Sequence, residues 1–343
     1  IITSYEGGDN WNFSENTSLS EILLVARKID GGDHKNATFF VNLWRKPRNE
    51  LEAIHIGSQL IDLYNLTKLY DIENSNASSY SIRIRGKKIG EVYSAQIADT
   101  NIGRYNFFAQ AELNRVTILL RSGILYLPTK GVVGRIPLIT LSDLKAEIGP
   151  DVRQVHDAFR VESLRKQCIY KAFWGHDSNV VKTIAQSANA CLEPKERKKA
   201  EALWNKSAPL LIVERGWLTT YRVFSILANE PLLSNVWWPV KVSEELGKLI
   251  SLWINSTYGL LLLFSAGEVT RGPWIKFKKA ELNNLLVIDI KRVSQTSVSR
   301  LLEKFEHFSK KEFKPLPEEF RDPEARRELD NLFNEVLGIE HDL

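Results

Sequence analysis

The 343-residue sequence contains no methionine, not even at position 1, and only two cysteines, Cys168 and Cys191. The first absence leads to the expectation of a piece excised from a longer product, or of modified methionines that went unread. Two cysteines without a CxxC pair exclude a disulfide framework and a structural zinc site, and lead to the expectation of a reduced, cytoplasmic setting. No apolar run approaches the roughly 20 residues of a membrane span; the densest, LLLLF, covers 260–264. No signal-peptide pattern opens the chain. Repeats and low-complexity segments are also missing. There is no Pro-Pro dipeptide anywhere in the chain.

What is present is the composition of an ordinary soluble globular protein, 43% apolar and 26% charged. The length suits two domains, or one with a large insertion. A net charge of +4 is unevenly spread: residues 303–343 hold seven Lys/Arg against twelve Asp/Glu, so residues 1–302 carry +9. A basic body with an acidic helical tail permits a polyanionic partner without requiring one.

EILLVARK (21–28) and ATFFVNLW (37–44), separated by a Gly-Gly turn, read as adjacent strands buried on both faces. ELEAIHIGSQLIDLYNL (50–66) has helical spacing, and NSNASS (74–79) reads as a loop. The alternation in SYSIRIR, GEVYSAQIA, RVTILLRSGILYLP and GRIPLITL predicts half-buried strands. Residues 142–174 read as helix broken at Gly149–Pro150, and 193–207 as a polar helix. Strands follow in PLLIVER, TTYRVFSILA and LSNVWWPVKV. Residues 243–264 read as one amphipathic helix entered through Ser243. LLVIDI is a strand, QTSVSRLLEKFEHFSKK a helix, and 323–339 a last helix ended by Gly338.

Seven blocks carry a resemblance through their order: FSENTSLSEILLVARK, FFVNLWRKP, IGPDVRQVHDAF, SNVWWPVK, LWINSTYGLLLL, TRGPWIKFKKAELNNLLVIDI and RRELDNLFNEVLGI. Together they resemble the C-terminal half of N6-adenine DNA methyltransferases of restriction-modification and related phage-defence systems. The resemblance implies that a catalytic half precedes these blocks, with a glycine-rich loop for S-adenosylmethionine and an Asn/Asp-Pro-Pro-aromatic motif for the extruded adenine. This chain has neither: it lacks Pro-Pro, and Gly7–Gly8 does not stand between a strand and a helix. The expectation is therefore an α+β chain, not catalytic and taking no cofactor by itself. Residues 1–60 would be terminal strands of an α/β methyltransferase sheet, 61–302 a target-recognition region and 303–343 a helical tail. Its partners would be duplex DNA and a catalytic domain in cis or trans that holds the S-adenosylmethionine.

A recognition region binds phosphates through Lys/Arg and reads base edges with amides and aromatics. Arg271, Lys276, Lys278 and Lys279, interleaved with Trp274 and Phe277, form such a segment. Trp237 and Trp238 are neighbours in a predicted strand, where successive side chains point to opposite faces. One is expected in the core and the other on a surface, either as a base-stacking platform or under a second domain. Asn235 and Asn255 are candidates for bidentate contact with adenine, or for turn and helix-end hydrogen bonds.

Two catalytic alternatives remain at this level. His156–Asp157 and His176–Asp177 suggest a metal-dependent phosphohydrolase, which needs a further ligand that the sequence does not single out. VIDIK (287–291), with Asp289 and an upstream Glu268, faintly resembles a nuclease strand. A protein-interaction scaffold without DNA binding is the third alternative.

Overall fold

The computed structural model describes residues 2–4, 37–65, 79–96, 106–269 and 274–339. The predicted strand 21–28, the Gly-Gly turn and most of the 74–79 loop lie outside these residues. The protein is α+β, and its chain forms two compact units: 1–134 with 270–272, and 135–269 with 273–343.

In the first unit, β1 (Ile2–Ser4) runs parallel to β2 (Ala37–Leu43), and β3 (Tyr80–Ile84) and β4 (Lys87–Gln96) form a hairpin. The sheet order is β1-β2-β4-β3, with β2 antiparallel to β4 along seven residue pairs. Phe40, Val41 and Leu43 of β2 are buried, as its apolar run predicts. Helix α1 (Glu50–Asn65) covers β3 through Ile56. Gly90 of β4 is required where it stands, because a Cβ there would lie 2.3 Å from the Asn42 carbonyl oxygen. Residues 115–128 depart from the expected single strand: they form the end of α2 (Ala111–Arg121) and then β5 (Ile124–Leu127), which pairs with β6 (Gly131–Arg135). The β-branched Val116, Thr117 and Ile118 imitate strand propensity, but burial of Thr117, Ile118, Leu119 and Leu120 outweighs that preference. Gly123, with φ of 73°, makes the break that the alternating pattern concealed.

In the second unit, the elements begin with β7 (Leu138–Thr140), β8 (Glu147–Ile148), α3 (Val152–Ala158), β9 (Phe159–Ser163), β10 (Lys171–Phe173), β11 (Ala185–Gln186) and β12 (Ala190–Pro194). Helix α4 (Arg197–Trp204), β13 (Ala208–Val213), β14 (Arg215–Trp217), β15 (Ser225–Ser234) and β16 (Trp237–Lys241) follow. Then come α5 (Glu244–Asn255), α6 (Thr257–Ser265), β17 (Glu268–Val269), β18 (Trp274–Lys276), α7 (Lys279–Asn283) and β19 (Leu286–Ile288). Helices α8 (Gln295–Lys310), α9 (Leu316–Glu319) and α10 (Ala325–Leu337) close the described chain. The main sheet runs β8-β16-β13-β15-β10-β12-β9, with β11 added beside β15. Smaller sheets pair β14-β18-β17 and β19-β7.

Three further expectations are corrected here. The predicted helix over 142–174 shrinks to seven residues of α3, started by an Asp151–Gln154 capping box, and FRVES becomes β9 paired with β12. Residues 219–224 of the predicted TTYRVFSILA strand precede β15 and do not belong to it. The 243–264 helix is two helices, bent by 83° at Ser256.

The bend has a clear cause. Ser256 is extended (φ −76°, ψ 163°) and its hydroxyl accepts the Gly259 N–H, starting a new helix. A Cβ at Gly259 would sit 1.9 Å from the Trp253 carbonyl oxygen, so only glycine permits the turn. Helix α10 then secures it with one polar stripe at four-residue spacing. Arg326 donates to the Asn255 and Arg222 carbonyls, Asp330 accepts from the Thr257 amide (2.8 Å) and hydroxyl (2.6 Å), and Asn334 accepts from the Tyr258 hydroxyl. Gly338 ends α10 in the left-handed conformation (φ 66°), as its position in the sequence predicts. No single helix among the described residues is long and apolar enough to cross a membrane. Cys168 and Cys191 are joined in a disulfide, so the reduced setting does not follow from the cysteine count.

Candidate nucleic-acid interface

Side chains alternate across a strand, and the pairing of β14 with β18 uses that alternation to separate core from surface. The register sets Arg215 opposite Lys276, Gly216 opposite Ile275, and Trp217 opposite Trp274. Gly216 and Ile275 are buried, and Phe224 and Phe277 close over Gly216. The outer face therefore presents two cross-strand pairs, one cationic and one aromatic. Trp217 and Trp274 have ring centroids 5.3 Å apart at 52°, and both are half-buried. Tyr221 meets Trp274 edge-on at 6.2 Å.

Acidic groups trim this face without neutralising it. Glu268 of β17 stands opposite Lys276, and its carboxylate accepts an ion pair from Lys278 at 2.7 Å. Glu214 is buried beneath the strand, and desolvation raises its pKa although Arg215 and Lys276 pull it down.

Behind Tyr221 an aromatic stack leads inward. His176 lies flat on Tyr221 (3.5 Å, 7°), with Trp237 at 5.7 Å on the same ring and Phe173 edge-on to Trp237 at 6.1 Å. Burial lowers the His176 pKa to about 4, so the ring is neutral at physiological pH. His176 also borders an open cleft of about 700 Å³ lined by Trp174, Asp177, Gln186, Asn189 and Asn229. The amide of Asn189 is spent on the Trp174 backbone and the Gln186 amide nitrogen on Thr183, while the buried His176 Nε2 has no hydrogen-bond partner among the described residues.

The sequence-predicted residues separate into three groups. Lys276, Lys278 and Trp274 lie on or beside the outer face. Lys279 does not: its ammonium is fixed on the Ile148 and Gly149 carbonyls at 2.6 and 3.3 Å. Arg271 lies outside the described residues. Asn235 accepts the Gly175 N–H at 2.6 Å, a loop-fixing bond. Asn255 is fully buried and takes four hydrogen bonds, from the Phe224 amide and to Ser225 and Ser251, which leaves no edge for a base.

The tryptophan pair corrects its own premise. Trp237 and Trp238 are 1% and 6% exposed, so neither stands on a surface. They do point to opposite faces, but the main sheet is covered on both. Trp238 sits opposite Ile212, on the face where α5 packs over Leu210 and Leu227, and its indole donates to Phe277 O at 2.9 Å. Trp237 enters the aromatic stack on the other face and donates to Gly175 O.

The catalytic alternatives find no assembled centre. Asp177 receives the Asn179 amide in a tight turn, His156 packs edge-on to Trp174, and Asp289 caps the turn of Ile290–Arg292. Among the described residues no group of three His, Cys, Asp or Glu could hold a metal ion. Sequence reasoning missed Arg215 and Trp217. The signal was RGW itself, a basic–small–aromatic alternation that mirrors WIK at 274–276.

No protein-family model matches the chain, and no curated protein matches it. Among solved structures, that of the type IIG restriction endonuclease BpuSI aligns with 88% of this chain and 45% of its own, with TM-score 0.39 and 10% identity. The chain thus spans less than half the length of that enzyme. A likeness so distant carries no argument about the site.

Proposed function

We propose that the chain is the DNA-binding, target-recognition part of an N6-adenine DNA methyltransferase of the restriction-modification or phage-defence kind. It does not catalyse methyl transfer by itself. S-adenosylmethionine belongs to a catalytic domain supplied in cis or in trans. The block order in the sequence supplies the family reading. The observation that carries DNA contact is the outer face of β14 and β18, where Arg215 and Lys276 stand beside Trp217 and Trp274.

That pairing suits a polyanion with flat bases. The cations neutralise phosphates, and the indoles offer stacking surface worth roughly 1–3 kcal/mol per base. Lys278 adds a third cation once Glu268 releases it, and the exchange is cheap because the pair is solvent-exposed.

Salt-series titration of a duplex with the whole chain tests the reading. Lys276→Ala is expected to reduce the log–log slope by about 1, and Trp217→Ala to lower affinity at unchanged slope. Absence of duplex binding at low salt would overturn the proposal in favour of a protein-interaction scaffold. Saturable S-adenosylmethionine binding by calorimetry would overturn its non-catalytic part.

A further inference from the structure

The lobe built from α3, β9, β10, β12 and α4 carries a second concentration of charge. Residues 153–206 hold eleven Lys/Arg against six Asp/Glu. At its edge the loop after β9, residues 164–169, exposes two large apolar side chains. Ile169 is 80% and Leu164 47% exposed, while the apolar side chains of β9, β10, β12 and α4 behind them form a buried cluster. Covering these side chains on binding would remove apolar surface from water and favour association.

The tip has a rigid base. Cys168, next to Ile169, is tied to Cys191 of β12. Tyr170, on the other side, packs against Phe159 and Trp204 at 5.4 Å each, and so braces the loop on α4. The loop and α4 carry cations of two kinds. Arg165 is held by Glu162 and Glu193 (3.5 Å each), and Arg197 by Glu201 (2.8 Å). Lys166, Lys198 and Lys199 are exposed and make no ion pair among the described residues. A braced apolar tip on a lobe that also carries unpaired ammonium groups matches a DNA groove, where lysines meet phosphates and an aliphatic wedge enters a base step.

We propose that residues 164–169 and α4 form a second duplex-contacting edge, with Lys166, Lys198 and Lys199 on the phosphates and Ile169 as a wedge that unstacks one step. The inference rests on the reading that the chain meets duplex DNA, but it concerns a surface that the β14–β18 face does not include.

The test is a salt-series titration of the full chain on a duplex carrying 2-aminopurine, with three variants compared. Lys198→Ala with Lys199→Ala is expected to lower the log–log slope by about 2. Ile169→Ser is expected to weaken binding at unchanged slope and to abolish the rise in 2-aminopurine fluorescence. Lys276→Ala with Lys278→Ala serves as the reference for the other face. If the reference pair weakens binding while the lobe variants bind like the parent, this inference fails and the proposed function stands. If no variant and no parent binds duplex, both fail. A fluorescence rise that survives Ile169→Ser overturns the wedge. Binding to phosphatidylserine vesicles that Ile169→Ser removes, with duplex binding intact, overturns the choice of partner.

Discussion

Truncating Asn255 to alanine is expected to unfold the second unit at lower temperature without touching DNA affinity. Its amide joins the end of α5 to the start of β15: Oδ1 accepts the Phe224 N–H at 2.8 Å, and Nδ2 donates to Ser225 O (2.8 Å), Ser225 Oγ (3.0 Å) and Ser251 O (2.9 Å). After truncation Ser251 O keeps the Ser225 hydroxyl as donor. The Phe224 amide is stranded at a site with no solvent, and Ser225 O is weakened. Two buried groups at about 1–3 kcal/mol each give a loss of about 3 kcal/mol. For a unit of this size that shifts Tm by roughly 6–12 °C. Differential scanning calorimetry reads the shift, and duplex titration well below the transition reads the affinity. Asn255→Asp sharpens the comparison: it keeps an acceptor for Phe224 but sets a carboxylate against two carbonyls, and is expected to cost more than alanine. A variant that melts like the parent but binds duplex more weakly would refute the assignment and return Asn255 to base reading.

Two further expectations follow from the same buried region. Trp237→Ala and Trp238→Ala are each expected to lose roughly 3–5 kcal/mol in denaturant melts, since both rings are enclosed; a neutral result for either would mean that one face of the sheet is open. The His176 pKa, lowered to about 4 by burial, means the folded state binds fewer protons than the unfolded one between about pH 4 and 6.5. Stability tied to this ring is therefore fully present above about 6.5 and is lost as pH falls towards 4, by at most about 3 kcal/mol. His176→Phe keeps the stack on Tyr221 and is expected to flatten the stability–pH curve in that window; an unchanged slope would refute the burial argument.

Legibility in the sequence tracked how far each signal was local. Gly338 as a helix stop, Ser243 as a cap and the run of β2 were readable because turn chemistry and apolar density act within a few residues. The helix at 111–121 was not, since tertiary burial overrode three consecutive β-branched residues. The bend at Ser256 escaped because its local signals, the Ser256 cap and Gly259, lie inside an apolar run dense enough to read as one helix, and the residues that secure it, Arg326, Asp330 and Asn334, stand 70 or more residues downstream. For the candidate interface, the WIKFKK half was legible as mixed basic and aromatic residues. Its partner RGW carries the same basic–aromatic alternation, but over three residues only, too few to stand out as a strand period. The tryptophan pair misled for a different reason: alternation predicted opposite faces correctly, but nothing local says whether the second face is covered.

The stripe on α10 makes the middle of the chain depend on residues made much later. Until Asp330 arrives, the Thr257 amide lacks its carboxylate, and until Arg326 arrives the Asn255 carbonyl lacks its guanidinium. Contacts of such sequence separation are closed late and slow the approach to the native state. During synthesis α5 and α6 therefore emerge as a hydrophobic pair with an unfinished joint, and they stay exposed to chaperones and proteases until α10 follows. A premature stop before Arg326 would leave the protein with a complete sheet that lacks the clasp across the α5–α6 joint. Loss of α10 would thus be read out as degradation of the second unit.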